Sequence, residues 1–384
     1  MKKRIKGYAT PQATKEYARA MNDVVGEGHF SDFVPAQDKA KIKLSSLGVG
    51  TFPGAISNTV DEQVVQIILK GLTSGINVID TGAHYRYGRA LAAVGAGIQA
   101  GIEEGISRDA IFVISKGGFL TLRGGAPADF DTWFEKEIIE KGLGSKDDLV
   151  NRVHLLSPDY IDYQINLSLN LLGLETLDLF LVDQPEIHIP SIGKENTNRK
   201  LLKVFVALEK AVKENRIRAY GISTFDGMRV ETDDIKFQSL TSMIGLAEKA
   251  SQEVNGLGVT HSFKVVQTPF NHVMSEAFTR FNQATGQGNV ASTLQAAYQL
   301  GIYMMASHSL MKGHLALSQN DQLMPLLPLF DNAAQRSLQF NRSTPGLGTS
   351  LVGTSQLSHF NDLLTVSQSI PMKKNAYLAL YSKT

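Results

Sequence analysis

Short apolar runs recur along the chain, each ending abruptly in polar residues and each followed by a segment of helix length. The runs are Leu44–Phe52, with its polar end at Thr51; Ile76–Ile79, ending at Asp80; Ile111–Ser115, ending at Lys116; and Leu177–Val182, ending at Asp183. Four more follow: Arg218–Ile222 before Ser223 and Thr224, Phe263–Val266 before Gln267, Ile302–Ala306 before Ser307 and His308, and Thr349–Val352 before Gly353, Thr354 and Ser355. Brief, near-continuous apolar runs of this kind suit strands buried on both faces. Between them the spacing changes to that of helices: Leu91, Val94 and Ile98; Ile161, Ile165, Leu169 and Leu172; Leu201, Phe205, Leu208 and Val212. Thr59 with Glu62 reads as a capping box, opening a helix that runs to about Ser74 and ends at Gly75. Ser157 and Pro158 open another.

Eight strand–helix units in series predict a (β/α)8 barrel. Residues 1–43 form a polar N-terminal extension and 44–384 a single barrel domain, with a long connection, Gly117 to Ser157, after the third strand. A plain barrel connection is shorter. In such a barrel the strand ends converge on one mouth, which would gather Thr51, Asp80, Lys116, Asp183, Ser223, Gln267, Ser307 and Thr354. Buried polar groups need partners, so a ring of this kind points to a ligand. The rival architecture is a doubly wound sheet with Gly48-Val49-Gly50 as half of a dinucleotide fingerprint, but the third glycine is missing from its place.

Composition narrows the function classes. Lys and Arg total 38 against 37 Asp and Glu, a net charge of +1, so no field of either sign argues for nucleic acid or a membrane surface. No cysteine is present, which removes disulfides, thiolate metal sites and cysteine nucleophiles. The basic start, MKKRIKGYATPQATKEYARA, has no apolar core of a secretory signal, and no run reaches the ~20 residues that span a bilayer. A cytoplasmic protein acting on a small molecule is expected. Nine histidines invite a metal reading, but no HExxH pattern occurs, and no metal is expected. His84, His188 and His308 each read either as pocket residues or as satisfied loop histidines. Arg86 and Arg89 read as an anion site or as salt-bridged surface, and Trp133 as a mouth residue or a packing anchor.

The segments LGVGTF, IDTGAHYRYGRALAAVGAGI, ISKGG, LSLNLLGLETLDLFLVDQPE, IRAYGISTFDG, VVQTPFN and TPGLGTSLVGTS follow one another in an order and spacing that resembles the aldo-keto reductases, over about residues 44–370. The resemblance implies a (β/α)8 barrel that binds NADPH across its strand ends and transfers hydride to a carbonyl. It also implies a tetrad of Asp, Tyr, Lys and His. Asp80, Tyr85 and Lys116 match the first three. The chemistry agrees with that assignment: charge arriving on a carbonyl oxygen needs a proton, and a phenol gives one more readily beside an ammonium. By the same resemblance Thr51, Ser223, Thr224, Gln267, Ser307, Gly353, Thr354 and Ser355 fall where the cofactor is held, with Ser223 and Gln267 at the nicotinamide carboxamide.

Three departures stand out. The tetrad histidine is replaced by Asp183, in Val182-Asp183-Gln184-Pro185-Glu186. An ionised Asp183 would oppose ketone reduction, whereas a buried, protonated one would donate to the oxyanion. Relatives that reduce conjugated C=C bonds similarly carry a carboxylic acid there, so reduction of either a carbonyl or an enone is implied. After the eighth strand Gln356 and Leu357 offer no cation for a 2′-phosphate and Leu363 replaces an adenine-contacting Asn, so NAD stands beside NADP. Leu91 replaces a Glu after the tyrosine loop. The alternative is a barrel without redox activity, either running acid–base chemistry with Tyr85 and Asp183 or serving as a binding subunit.

Overall fold

The computed structural model describes residues 4–35, 40–52, 54–286, 288–317, 319 and 321–381. Eight strands close into a barrel in chain order: β1 (Leu47–Gly50), β2 (Val78–Asp80), β3 (Phe112–Gly117), β4 (Leu177–Asp183), β5 (Ile217–Ser223), β6 (Phe263–Pro269), β7 (Tyr303–Ser307) and β8 (Thr349–Gly353). Every neighbouring pair is parallel, and β8 returns to β1 with Val352 opposite Val49 and Gly353 opposite Gly50. The expected (β/α)8 architecture is present, and closure excludes the doubly wound sheet.

The strand period of two explains why the runs are apolar throughout. Phe112, Ile114, Leu179 and Leu181 point into the barrel with Val78, Ala219, Val265, Met305 and Leu351. Their neighbours Val113, Phe180 and Val182 point outward, into the larger core beneath the helices. That core takes the predicted faces of helices Arg89–Glu103 (Leu91, Val94, Ile98), Pro158–Leu172 (Ile161, Ile165, Leu169, Leu172) and Lys194–Lys213 (Leu201, Phe205, Leu208, Val212), all buried.

Two local expectations change. The run Leu44–Phe52 is not one strand. Ile42–Ser45 pairs antiparallel with Phe30–Phe33 across the barrel floor, and only Leu47–Gly50 enters the barrel. The break is made at Ser45 by a side chain: the Ser45 amide donates to Asn77 Oδ1 (2.9 Å), and the Asn77 amide donates to Ser45 Oγ (3.1 Å). The helix expected to be capped by Thr59 is capped by Ser57, whose Oγ accepts from the Val60 amide (3.3 Å), and starts at Asn58. Arg86 reaches the Ser57 carbonyl (3.4 Å) and Asp61, which fixes the first turn two residues early.

The segment ahead of the barrel contributes the helix Pro11–Ala20 as well as the Phe30–Phe33 strand. The long connection after β3 carries a helical turn, Phe130–Phe134, continued by a wider turn through Ile139, and a small hairpin of Leu149–Val150 with His154–Leu155. Leu120, Phe134, Ile138, Leu155 and Tyr160 form its own small core. Trp133 packs there against Phe130 at 5.7 Å, the anchoring role.

Candidate active site

The mouth is assembled from the carboxyl ends of the strands. Asp80 ends β2, and the chain turns at once into a short helical segment, Tyr85–Gly88, that brings Tyr85 back over the barrel. Lys116, next to last in β3, is fully buried and aimed between them. Its ammonium donates to both Asp80 oxygens (2.5 Å each) and to the Tyr85 hydroxyl at 2.9 Å. Gln267 Nε2 donates to Asp80 Oδ1 (3.2 Å), and Ser223 Oγ donates to Gln267 Oε1 (3.0 Å). Five side chains from β2, β3, β5, β6 and the loop after β2 thus form one hydrogen-bonded chain.

Asp183 ends β4 beside this chain and is 5% exposed. Burial, and secondarily the charges of Asp80 and Glu186, push its carboxyl up to about 7, against the opposing pull of Lys116 and the nearby Ser223 hydroxyl. Its Oδ2 lies 3.5 Å from His84 Nε2. The His84 ring stands edge-on to Tyr85 (4.7 Å) and tilted against Phe119 (5.0 Å). Burial first, then the charge of Lys116, lowers His84 to about 3, so the ring is neutral, and its Nδ1 is buried without a partner among the described residues. Of His84, His188 and His308, His84 is the one whose ring meets the Asp183 carboxyl and Tyr85.

The expectation that Lys116 eases proton loss from Tyr85 meets a counterweight. Burial and the charges of Asp80 and Asp183 hold the phenol well above the ordinary tyrosine range. Tyr85 is therefore a firmly protonated donor rather than a phenolate.

Other candidates fall in distinct places. Thr51 is buried and tied to the Asp80 carbonyl through both amide and hydroxyl (3.1 Å each). The Thr224 hydroxyl donates to Glu186 (2.8 Å) and accepts from the Gly227 amide (2.9 Å), so it braces the loop after β5. Ser307 ends β7 half-buried, with its carbonyl accepting from the Phe270 amide (3.0 Å). Gly353 is exposed at the end of β8, and Thr354 and Ser355 follow in a turn where the Gln356 amide donates to Thr354 Oγ1 (3.1 Å). His308 packs edge-on against Phe225 (5.0 Å). Arg86 and Arg89 both bind Asp61, the salt-bridged role. Leu91 and Leu363 are fully buried in the core. Among the described residues no cluster of three or more His, Asp or Glu is placed to hold a metal, and no helix is long and apolar enough to cross a membrane.

A fourth histidine, His154, belongs to no motif in the sequence. It lies on the hairpin of the long connection, its Nε2 2.6 Å from the Asp183 carbonyl and its Nδ1 2.9 Å from His188 Nε2. The signal was a histidine inside the apolar run Val153-His154-Leu155-Leu156.

The sequence model of the Aldo/keto reductase family matches residues 46–247, just over half of the chain. An uncharacterized oxidoreductase of Bacillus subtilis (strain 168), YtbE, is 31% identical over 187 residues, 48% of this chain and 48% of that one. An NADH-specific methylglyoxal reductase of Escherichia coli (strain K12) is 25% identical over 190 residues, 48% of this chain and 50% of that one. The chain spans about half the length of these curated relatives. Among solved structures, the glycerol dehydrogenase AKR11B4 from Gluconobacter oxydans superposes with a TM-score of 0.63 at 17% identity, covering 93% of this chain and 95% of that one.

Proposed function

The chain belongs to the aldo/keto reductase family, and we propose that it is an NAD(P)H-dependent oxidoreductase reducing a carbonyl or a conjugated C=C bond of a small molecule. The observation that carries this reading is the buried Asp80–Lys116–Tyr85 chain at 2.5 and 2.9 Å, open to a mouth of strand ends. The donor set also suits a nicotinamide. Ser223 and Gln267 present a hydroxyl and an amide side by side, matching a carboxamide in both donor and acceptor.

The cofactor supplies the hydride. The chain's own residues supply the proton and the electrostatics. Tyr85 holds its proton until charge gathers on the substrate oxygen, then delivers it. Lys116, paired with Asp80, compensates the negative charge left on the phenol oxygen. Asp183, when protonated, donates a second hydrogen bond to the same oxygen, in place of the family's histidine. Phe52, packed edge-on to Tyr85 at 5.1 Å, shields the phenol from water.

No lysine or arginine lies between Arg342 and Lys373, the stretch that holds β8 and the helix Leu357–Ser367. A 2′-phosphate held there would lack a cationic partner, which favours NADH over NADPH. The test is a titration of the purified protein with both nucleotides, read by nicotinamide fluorescence. Turnover is then assayed with aldehydes including methylglyoxal, ketones and enones. Micromolar binding of NADH with slow or absent NADPH turnover is expected; binding of neither by folded protein overturns the reading.

A further inference from the structure

We propose that His154 and His188 are positioning residues for Asp183, so that the long connection after β3 is part of the active site. The inference deepens the role given to Asp183 above and rests on it. β4 stops at Asp183 because Gln184 takes a left-handed backbone (φ 48°) and donates its amide to the Ser223 carbonyl (2.5 Å). That turn carries the Asp183 carbonyl out of the sheet ladder toward β3. The β3–β4 register ends one pair earlier, at Gly117 opposite Val182. The next amide on the β3 side, Gly118, is committed to Gln164 Oε1 (2.8 Å). The carbonyl is therefore buried with no backbone donor, a position a polar group holds only with another partner.

His154 is that partner, and the arrangement fixes two tautomers. A carbonyl only accepts, so His154 Nε2 carries the hydrogen. The ring is neutral, since burial and the neighbouring His188 keep it from protonating. Its Nδ1 is then a bare acceptor, and His188 Nε2 must donate to it at 2.9 Å. His188 follows Asp183 by only five residues, so the strut leaves β4, crosses to the hairpin and returns to the loop of the same strand. The hairpin is clamped in turn: the Leu120 amide donates to the Val153 carbonyl and the Leu155 amide to the Gly118 carbonyl, both at 2.8 Å. Gly118 (φ 121°) is required here, because a Cβ would stand 2.4 Å from His154 Nε2.

The Asp183 carboxyl hangs from this peptide. It faces His84 from the loop after β2, Ser223 from β5 and Lys116 from β3, with Tyr85, Asp80 and Glu186 close enough to act on its charge. Without the strut the peptide rotates to find another donor, and the carboxyl turns with it, away from the place where it is buried. A catalytic group displaced by ~1 Å loses roughly 100-fold in rate.

The test is a carbon-13 carboxyl NMR titration of the aspartate-labelled apoprotein, with Asp183→Asn assigning the resonance, beside steady-state kinetics. His154→Leu is expected to lower the Asp183 midpoint by about one pH unit or more. It should reduce kcat by roughly 10- to 100-fold while nucleotide binding by fluorescence is unchanged. His154→Gln, which keeps an amide donor, should recover most of both. If His154→Leu does not fold, His188→Leu, which removes only the second link, should move the midpoint in the same direction by less. A midpoint unchanged in His154→Leu, or in His188→Leu where that is the variant measured, overturns the inference, as does a kcat loss in His154→Leu that follows thermal stability and is not restored by glutamine. An Asp183→Asn enzyme as active as wild type would instead sink the catalytic role of Asp183, while the midpoint still reports on the strut.

Discussion

Two buried acid–cation pairs sit at opposite ends of the barrel, and their difference separates scaffold from site. At the floor Arg108 donates to Asp178 (2.8 Å), and at the mouth Lys116 donates to Asp80 (2.5 Å). All four residues are 5% exposed or less. At the floor, however, the remaining contacts run to backbone. Asp178 accepts from the Ala9 and Val113 amides (2.6 and 2.8 Å), and Arg108 donates to the Ile111 and Thr176 carbonyls (2.5 and 3.0 Å). The planar guanidinium staples chain segments and has no proton to give. At the mouth the partners are side chains, the Tyr85 hydroxyl and the Gln267 amide. Burial does not mark the difference, and neither does a missing partner, since Arg108 Nε at the floor and His84 Nδ1 at the mouth both lack one among the described residues; the kind of partner does.

The sharpest way to break this contrast is Tyr85→Phe. Loss of the proton donor should cost roughly 10²- to 10⁴-fold in kcat, with thermal stability near wild type; a stability loss with retained turnover would reverse the assignment. The two cations should divide next. Arg108→Met leaves Asp178 buried and unpaired and should destabilise by about 3–5 kcal/mol in a denaturant titration, with turnover per folded molecule unchanged. Lys116→Met should destabilise comparably and abolish turnover as well. Equal kinetic damage from both variants would mean the ends are not distinct.

Smaller effects follow from pH. With Asp183 raised to about 7, the folded chain keeps a proton that the unfolded chain has already lost between the ordinary carboxylate range and pH 7. Stability from this group therefore falls as pH rises through that window. Asp183→Asn should raise the denaturation free energy at pH 8 by on the order of 1–3 kcal/mol relative to wild type, with the gain vanishing near pH 4. In wild type, ketone reduction should decline above pH 7 as the donor ionises. The histidines work oppositely. His84 and His154 are held to about 3, so the unfolded chain binds protons first, and stability should drop as pH falls below about 6.5. Asp183→His should raise aldehyde reduction if the mouth accepts the family's own residue. The smallest effect is remote from both pairs: Ser57→Ala should cost about 1 kcal/mol, the value of one helix cap.

How much of this was written locally can be judged residue by residue. The eight strands and the convergence of Asp80, Tyr85 and Lys116 were legible because strand ends in a closed barrel share one rim, so a one-dimensional pattern fixes a three-dimensional ring. The split at Ser45 was not legible, because it depends on Asn77, a residue distant in sequence whose amide imitates a neighbouring strand. Nor was the cap at Ser57 in place of Thr59, where Arg86 from the next loop holds the Ser57 carbonyl.

What the sequence alone determined, then, is the fold, the family and the strand-end positions of Asp80, Lys116 and Asp183, all of them carried by local patterns and spacing. What only the tertiary structure decided is the state of that aspartate. Its proton affinity depends on desolvation, on the charges of Lys116, Asp80 and Glu186 and on the Ser223 hydroxyl, and its peptide on a histidine carried by another connection. Those quantities scale with distance through space, and separation along the chain does not encode them.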